Sequence, residues 1–166
     1  VHISSFNENT SDELDAALDK LDEDTLQGLI LDFRGNPGGL LQEAVEVSEH
    51  FVDNNQLIVY HYGRQSREKR YYATRGSKGT NYPIVVLINR LSASAAEIVT
   101  GALQDHDRAL VMGESSFGKG LVQTVYPLSE KSGLALTTAR YYTPSGRLIQ
   151  RSYTDVSLYD YYYHPS

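Results

Sequence analysis

Two stretches of this chain repeat one order of events: an apolar run, a loop of glycines or small residues, then a helical stripe. In the first, residues 28–33 read as a buried strand around Leu29, Ile30 and Leu31. They run into Arg34-Gly35-Asn36-Pro37-Gly38-Gly39, and Leu40, Leu41, Ala44, Val45, Ser48 and Phe51 follow at helical spacing. In the second, residues 84–89 form the most apolar strand of the chain. They lead through Leu91-Ser92-Ala93-Ser94-Ala95-Ala96-Glu97-Ile98 into a helix that ends near Gln104. Strands joined through helices pair in parallel, because a crossover must return the chain to the same edge. This order predicts an α/β fold with a mixed, partly parallel sheet flanked by helices.

The remaining segments fit that frame. Thr10-Ser11-Asp12-Glu13 has capping-box spacing, with Thr10 as N-cap and Glu13 reaching back. Leu14, Ala17, Leu18 and Leu21 then mark a first amphipathic helix. Residues 57–62 and 69–74 read as an exposed hairpin, and residues 109–112, 121–125 and 134–142 supply three further strands. After Gln150 the chain changes character: Tyr153, Tyr159, Tyr161, Tyr162 and Tyr163 crowd a tail with little aliphatic support. Residues 151–166 read as a truncated connector or as an aromatic patch that docks on the domain or a partner.

Composition narrows the function classes. A chain of 166 residues with 40% hydrophobic and 22% charged residues fits one globular domain. The net charge of −6 argues against nucleic acid or an anionic membrane as the main partner. Arg64, Arg67, Lys69 and Arg70 cluster, but at the expected hairpin, where a solvated edge explains them. Cysteine is absent, which excludes disulfides and thiolate zinc sites and suits an oxidising compartment without establishing one. No apolar run approaches the ~20 residues of a membrane helix. The strand-like opening Val1-His2-Ile3-Ser4-Ser5-Phe6 reads as a piece of something longer.

Three loops could carry chemistry. The glycines of residues 34–39 allow positive φ and close approach, and backbone amides at a helix start favour negative charge. That loop could be half an oxyanion hole, a phosphate cradle or a tight turn, although it lacks the ending of a P-loop. Ser94 follows the strongest strand with the Ala95 amide beside it, as in a nucleophile elbow, but Gly-x-Ser-x-Gly is missing. It reads equally as an N-cap whose box is closed by Glu97. Lys119, in Phe117-Gly118-Lys119-Gly120, could be a surface lysine or a general base whose side chain turns inward between the glycines. A lysine acts as a base only where burial disfavours its charge. Gln123 lies in a strand that could aim its amide at the same pocket. His2, His50, His61, His106 and His164 show no metal-ligand spacing, and His106 fits a solvated helix end as well as a catalytic role.

Together these stretches resemble the carboxyl-terminal processing peptidases, or tail-specific proteases. The matching runs are residues 29–40, 92–98 and 101–105, then Gly113-Glu114, Phe117-Gly118-Lys119-Gly120 and Gln123, and finally Ala139-Arg140-Tyr141-Tyr142-Thr143-Pro144-Ser145-Gly146-Arg147. The resemblance covers Val1 to about Gln150. It implies a crotonase-like core with Ser94 as nucleophile, Lys119 as general base, Gln123 positioning the lysine, and the amides of Gly39 and Ala95 as the oxyanion hole. Ala96 stands where many relatives carry a second serine, which leaves Ser94 as the single candidate.

The resemblance further implies a serine endopeptidase acting on proteins with accessible carboxyl termini, with no metal or organic cofactor. It implies an extracytoplasmic setting, such as the bacterial periplasm or cell envelope, and a PDZ domain upstream of Val1. Residues 1–150 would be the peptidase core. Without the PDZ domain, the glycine-flanked Lys119 loop is expected to be easily displaced. Two other classes use the same scaffold: a catalytically silent binding module and a crotonase-like acyl-thioester enzyme. Neither needs the trio Ser94, Lys119 and Gln123.

Overall fold

A computed structural model of the chain describes residues 1–22, 25–77, 81–154 and 156–163. The element order is α1 (Thr10–Lys20), β1 (Leu29–Asp32), α2 (Leu41–Glu49), β2 (Leu57–Gly63), β3 (Ser66–Tyr72), β4 (Ile84–Ile88), α3 (Ala95–Asp105), β5 (Ala109–Gly113), β6 (Leu121–Ser129), β7 (Ser132–Tyr142) and α4 (Leu158–Tyr163). The α/β fold with parallel and antiparallel pairing is present, divided between two sheets. A parallel sheet has the order β1-β4-β5, and an antiparallel sheet has the order β3-β2-β7-β6.

The parallel sheet is built as the two strand–loop–helix units require. Leu29 pairs with Ile84 and Leu31 with Val86, so these four residues share one face. That face meets α2 and α3 in a core that includes Phe33, Val47, Phe51, Val99 and Leu103. Leu14 and Leu18 of α1 join the same core. The opposite face corrects the expectation that Leu29, Ile30 and Leu31 are all buried. Ile30, in register with Val85 and Leu110, is 54% exposed, and Leu110 and Met112 on β5 are open as well. Among the described residues the helices cover one side of this sheet, and apolar content alone does not say which side that is.

Local capping also differs from its expectation at α1. The N-cap is Asn9, whose carbonyl accepts from the Glu13 N–H at 2.9 Å. Thr10 is already helical, and its hydroxyl accepts from the Asn7 N–H at 2.9 Å. The N-terminal residues run beside β1: the Ile3 N–H donates to the Asp32 carbonyl and the Asp32 N–H to that of Val1. In the antiparallel sheet Tyr60, Tyr62 and Tyr142 stack, with ring centroids 5.3 and 4.7 Å from Tyr142. His106 is the C-cap of α3 and lies 2.6 Å from the Leu57 carbonyl, a contact that ties α3 to β2. His164 lies outside the described residues.

Candidate active site

Ser94 sits where β4 hands over to α3, as the N-cap of that helix. Its φ of 55° and ψ of −114° fall outside the regions ordinary residues favour. Such a conformation costs about 1–3 kcal/mol and persists only where the surroundings impose it. They do so here from several sides. The Ala93 N–H donates to the Asn36 carbonyl at 2.9 Å, and the Ser92 hydroxyl donates to the Phe33 carbonyl at 2.8 Å. The Ser94 N–H itself donates to Glu97 Oε2 at 2.8 Å.

Residues 34–39 lie directly against this turn. Asn36 is fully buried; its side chain donates to the Ile3 carbonyl at 2.8 Å and accepts from the Gly38 N–H at 2.8 Å. A Cβ on Gly38 would stand 2.6 Å from the Ser94 Cβ and 2.8 Å from the Ala95 nitrogen. A Cβ on Gly39 would stand 1.9 Å from the Phe6 carbonyl oxygen. Phe6 bridges to the Gly38 carbonyl and the Leu40 N–H, which leaves the Gly39 N–H outside that bridge. Ala95 is the first residue of α3, and such an amide has no carbonyl one turn back. The two amides assigned to the oxyanion hole therefore belong to two turns in contact. A cleft of about 500 Å³ borders Gly39, between Phe6, Asn7, Glu13 and Leu40.

Glu97 joins the third loop to the first two. It is 7% exposed, and its carboxylate accepts four hydrogen bonds. Oε2 accepts from the Ser94 and Lys119 N–H groups, both at 2.8 Å. Oε1 accepts from the Gly118 N–H at 2.6 Å and the Ser116 hydroxyl at 2.7 Å. The backbone nitrogens of Ser94 and Lys119 thus lie no farther apart than two such bonds laid end to end. The sequence points to Glu97 only as the residue that closes a capping box with Ser94. That bond exists, but the carboxylate's other three bonds reach residues 19 to 22 positions further on, which no local spacing reveals.

The Lys119 side chain departs from its expectation. Gly118 and Gly120 are buried, whereas Lys119 between them is exposed. The peptide groups of this loop face the protein and take its inward hydrogen bonds. Among the described residues no hydrogen bond joins Lys119 to Ser94 or to Gln123. Gln123 is exposed on β6 and donates to the Thr137 hydroxyl at 2.7 Å. The structure brings Ser94, Ala95, Gly39 and the Lys119 backbone together and leaves Gln123 on the neighbouring sheet.

Two carboxylates on the elements that carry the site, Asp32 at the end of β1 and Asp105 at the end of α3, have lowered pKa values. The Arg34 side chain hydrogen-bonds Asp32 at 2.9 and 2.7 Å and holds its carboxyl down at about 2. At Asp105 burial pushes the carboxyl up. Hydrogen bonds from Thr143, Ser145 and Arg147 outweigh that and hold it below the ordinary carboxylate range. That ion pair ties the end of α3 to the segment after β7.

The chain matches Peptidase family S41 over residues 1–157. It is 47% identical over 154 residues to a carboxy-terminal-processing protease of Bartonella bacilliformis, covering 90% of this chain and 36% of that protein. It is 43% identical over 146 residues to a chloroplastic C-terminal processing peptidase of Tetradesmus obliquus, covering 88% of this chain and 31% of that protein. The solved photosystem II D1 C-terminal processing protease superposes with a TM-score of 0.79 at 40% identity, over 90% of this chain and 38% of that one. The chain spans about a third of the length of these relatives. It belongs to peptidase family S41.

Proposed function

We propose that this chain is the catalytic core of a serine endopeptidase that cuts proteins near their carboxyl termini with a Ser94–Lys119 dyad. The observation that carries the reading is the single Glu97 oxygen bonded to the backbones of both residues, beside a serine held at φ 55°. The names of the relatives support the substrate class.

In this reading the Ser94 hydroxyl attacks a peptide carbonyl while the unprotonated Lys119 amine takes its proton. The carbonyl oxygen gains charge in the tetrahedral intermediate, and the Gly39 and Ala95 amides donate to it. Loss of one such donor typically costs about 2.7–4 kcal/mol of transition-state stabilisation. Lys119 returns the proton to the leaving amine as the C–N bond breaks, leaving an acyl-Ser94. Water then attacks the ester, Lys119 accepts the water proton, and the Ser94 hydroxyl is restored. The exposed amine becomes a base when a bound substrate chain excludes water from it. Gln123 would orient that amine, and an upstream PDZ domain would deliver the substrate tail. An extracytoplasmic compartment belongs to the same proposal, and the chloroplastic relative marks a second setting for the fold.

A binding module without turnover is the second reading, favoured by the exposure of Lys119. The strain at Ser94 counts against it, because a binding surface gains nothing from it. A serine-reactive phosphonylating probe followed by mass spectrometry separates the two. The expected adduct is on Ser94, absent in Ser94→Ala. Labelling should be slow in both Lys119→Ala and Lys119→Arg, because a guanidinium stays protonated. Labelling of Lys119→Arg at the wild-type rate would show that charge, and not proton transfer, matters, and would overturn the dyad.

A further inference from the structure

The tyrosine-rich tail folds back onto the Lys119 loop. Two consecutive residues after β7 bond this loop on either side of the lysine. The Arg151 N–H donates to the Gly118 carbonyl at 2.9 Å, and the Gly120 N–H donates to Gln150 Oε1 at 3.0 Å. The approach is close: a Cβ on Gly118 would stand 2.5 Å from the Arg151 Cβ, and one on Gly120 2.5 Å from the Gln150 nitrogen.

Gln150 is 7% exposed, and its amide orientation is fixed by chemistry. The Gly120 N–H can only donate, so the atom facing it must be the amide oxygen. The amide nitrogen then faces two acceptors, the Arg151 carbonyl at 2.9 Å and the Tyr161 hydroxyl at 2.8 Å. Tyr161 belongs to α4 and is 8% exposed. The Arg151 guanidinium packs against the rings of both Phe117 and Tyr161, 5.5 and 4.4 Å from their centroids, and donates to the Tyr161 carbonyl. Phe117 meets Tyr161 edge-on at 6.1 Å, and its N–H donates to the Ser92 carbonyl at 2.9 Å. The residues after β7 therefore hold 117–120 through contacts additional to those of Glu97.

We propose that Gln150, oriented by Tyr161, is a positioning residue for Lys119, and that the aromatic tail is a clasp on the general-base loop. This rests on the reading of Lys119 as the base. Glu97 fixes the Gly118 and Lys119 amides, and Gln150 fixes the Gly120 amide. With the Arg151 bond to the Gly118 carbonyl, the backbone on both sides of Lys119 is fixed. Two flanking glycines would otherwise leave this segment many conformations, and a base displaced by a fraction of a hydrogen-bond length loses much of its effect.

The test compares Gln150→Ala and Tyr161→Phe with the wild-type chain. The second variant keeps the ring on Arg151 and Phe117 and removes one of the two acceptors of the Gln150 amide. Hydrogen exchange at the Gly120 amide should accelerate in both variants, and more in Gln150→Ala. The maximal rate of Ser94 labelling by the phosphonylating probe should fall about tenfold in Gln150→Ala and severalfold in Tyr161→Phe, with the half-saturating probe concentration unchanged. Circular dichroism at the labelling temperature gives the folded fraction, and the rate divided by that fraction separates positioning from mere stability. Unchanged Gly120 exchange in both variants overturns the clasp, as does faster exchange with an unchanged labelling rate. A wild-type labelling rate in Lys119→Ala, or no labelling of the wild type, removes the base assignment and the proposal with it. Lys119→Ala would then report the failure of the dyad, and Gly120 exchange that of the clasp.

Discussion

Replacing Glu97 by glutamine probes the join between the nucleophile and the base loop with almost no change of shape. The carboxylate offers two acceptor oxygens to three backbone N–H groups and one hydroxyl. An amide keeps one. If its oxygen stays at the Oε2 site, the bonds from Ser94 and Lys119 survive as neutral ones. The NH₂ then meets the Gly118 N–H donor to donor, and only the Ser116 hydroxyl can turn to accept. The opposite orientation strands two backbone donors instead of one, so the first prevails. One buried unsatisfied donor costs about 1–3 kcal/mol, and the lost charge assistance weakens the other bonds. The sum is about 3 kcal/mol, which at about 2–4 °C per kcal/mol for a chain of this size lowers the melting temperature by about 6–12 °C. The strain falls on Gly118, next to Lys119, so Ser94 labelling should slow at least tenfold at a temperature where the variant is folded. Thermal melts and probe kinetics check both. Ser116→Ala serves as control, expected to cost about 1 kcal/mol. A Glu97→Gln protein that melts within about 2 °C of wild type and labels at the wild-type rate would refute the role given to this carboxylate.

Other substitutions test other parts of the site. Gly38→Ala puts a Cβ 2.5 Å from the Ala93 carbonyl oxygen at a φ of +93°, so labelling of Ser94 should be lost and stability lowered; a circular dichroism melt with probe kinetics would show both. At position 94, glycine should be more stable than alanine by about 1–2 kcal/mol, since only glycine relieves the conformation at φ 55°. Equal urea midpoints for Ser94→Gly and Ser94→Ala would mean the backbone is not strained. Asp32 has its folded pKa lowered from 3.8 to about 2, chiefly by the Arg34 hydrogen bond. Its stabilisation is therefore present above pH 3.8 and is lost as pH falls towards 2. The stability gap between wild type and Asp32→Asn should close across that window, and a gap constant from pH 7 to pH 2 would contradict the assignment.

Local pattern is legible in the residues themselves. Apolar runs followed by glycine or small-residue turns and helical stripes placed β1, α2, β4 and α3, because side-chain period and turn chemistry are properties of neighbouring residues. The same loops named Ser94, Lys119, Gly39 and Ala95 as candidates. Position along the chain could not say that Ile30 faces solvent, since that depends on which side of the sheet the helices cover. Nor could it show that Lys119 points outward while its glycines are buried, because the loop's orientation is set by acceptors on Glu97 and Gln150, both far away in sequence. It takes the folded chain to show that Ser94 is held at positive φ, that one carboxylate ties it to the Lys119 loop, and that Gln150 and Arg151 bond the same loop. The bonds behind them join segments far apart in the chain, and a hydrogen bond across such a distance leaves no periodic trace in the residues that make it.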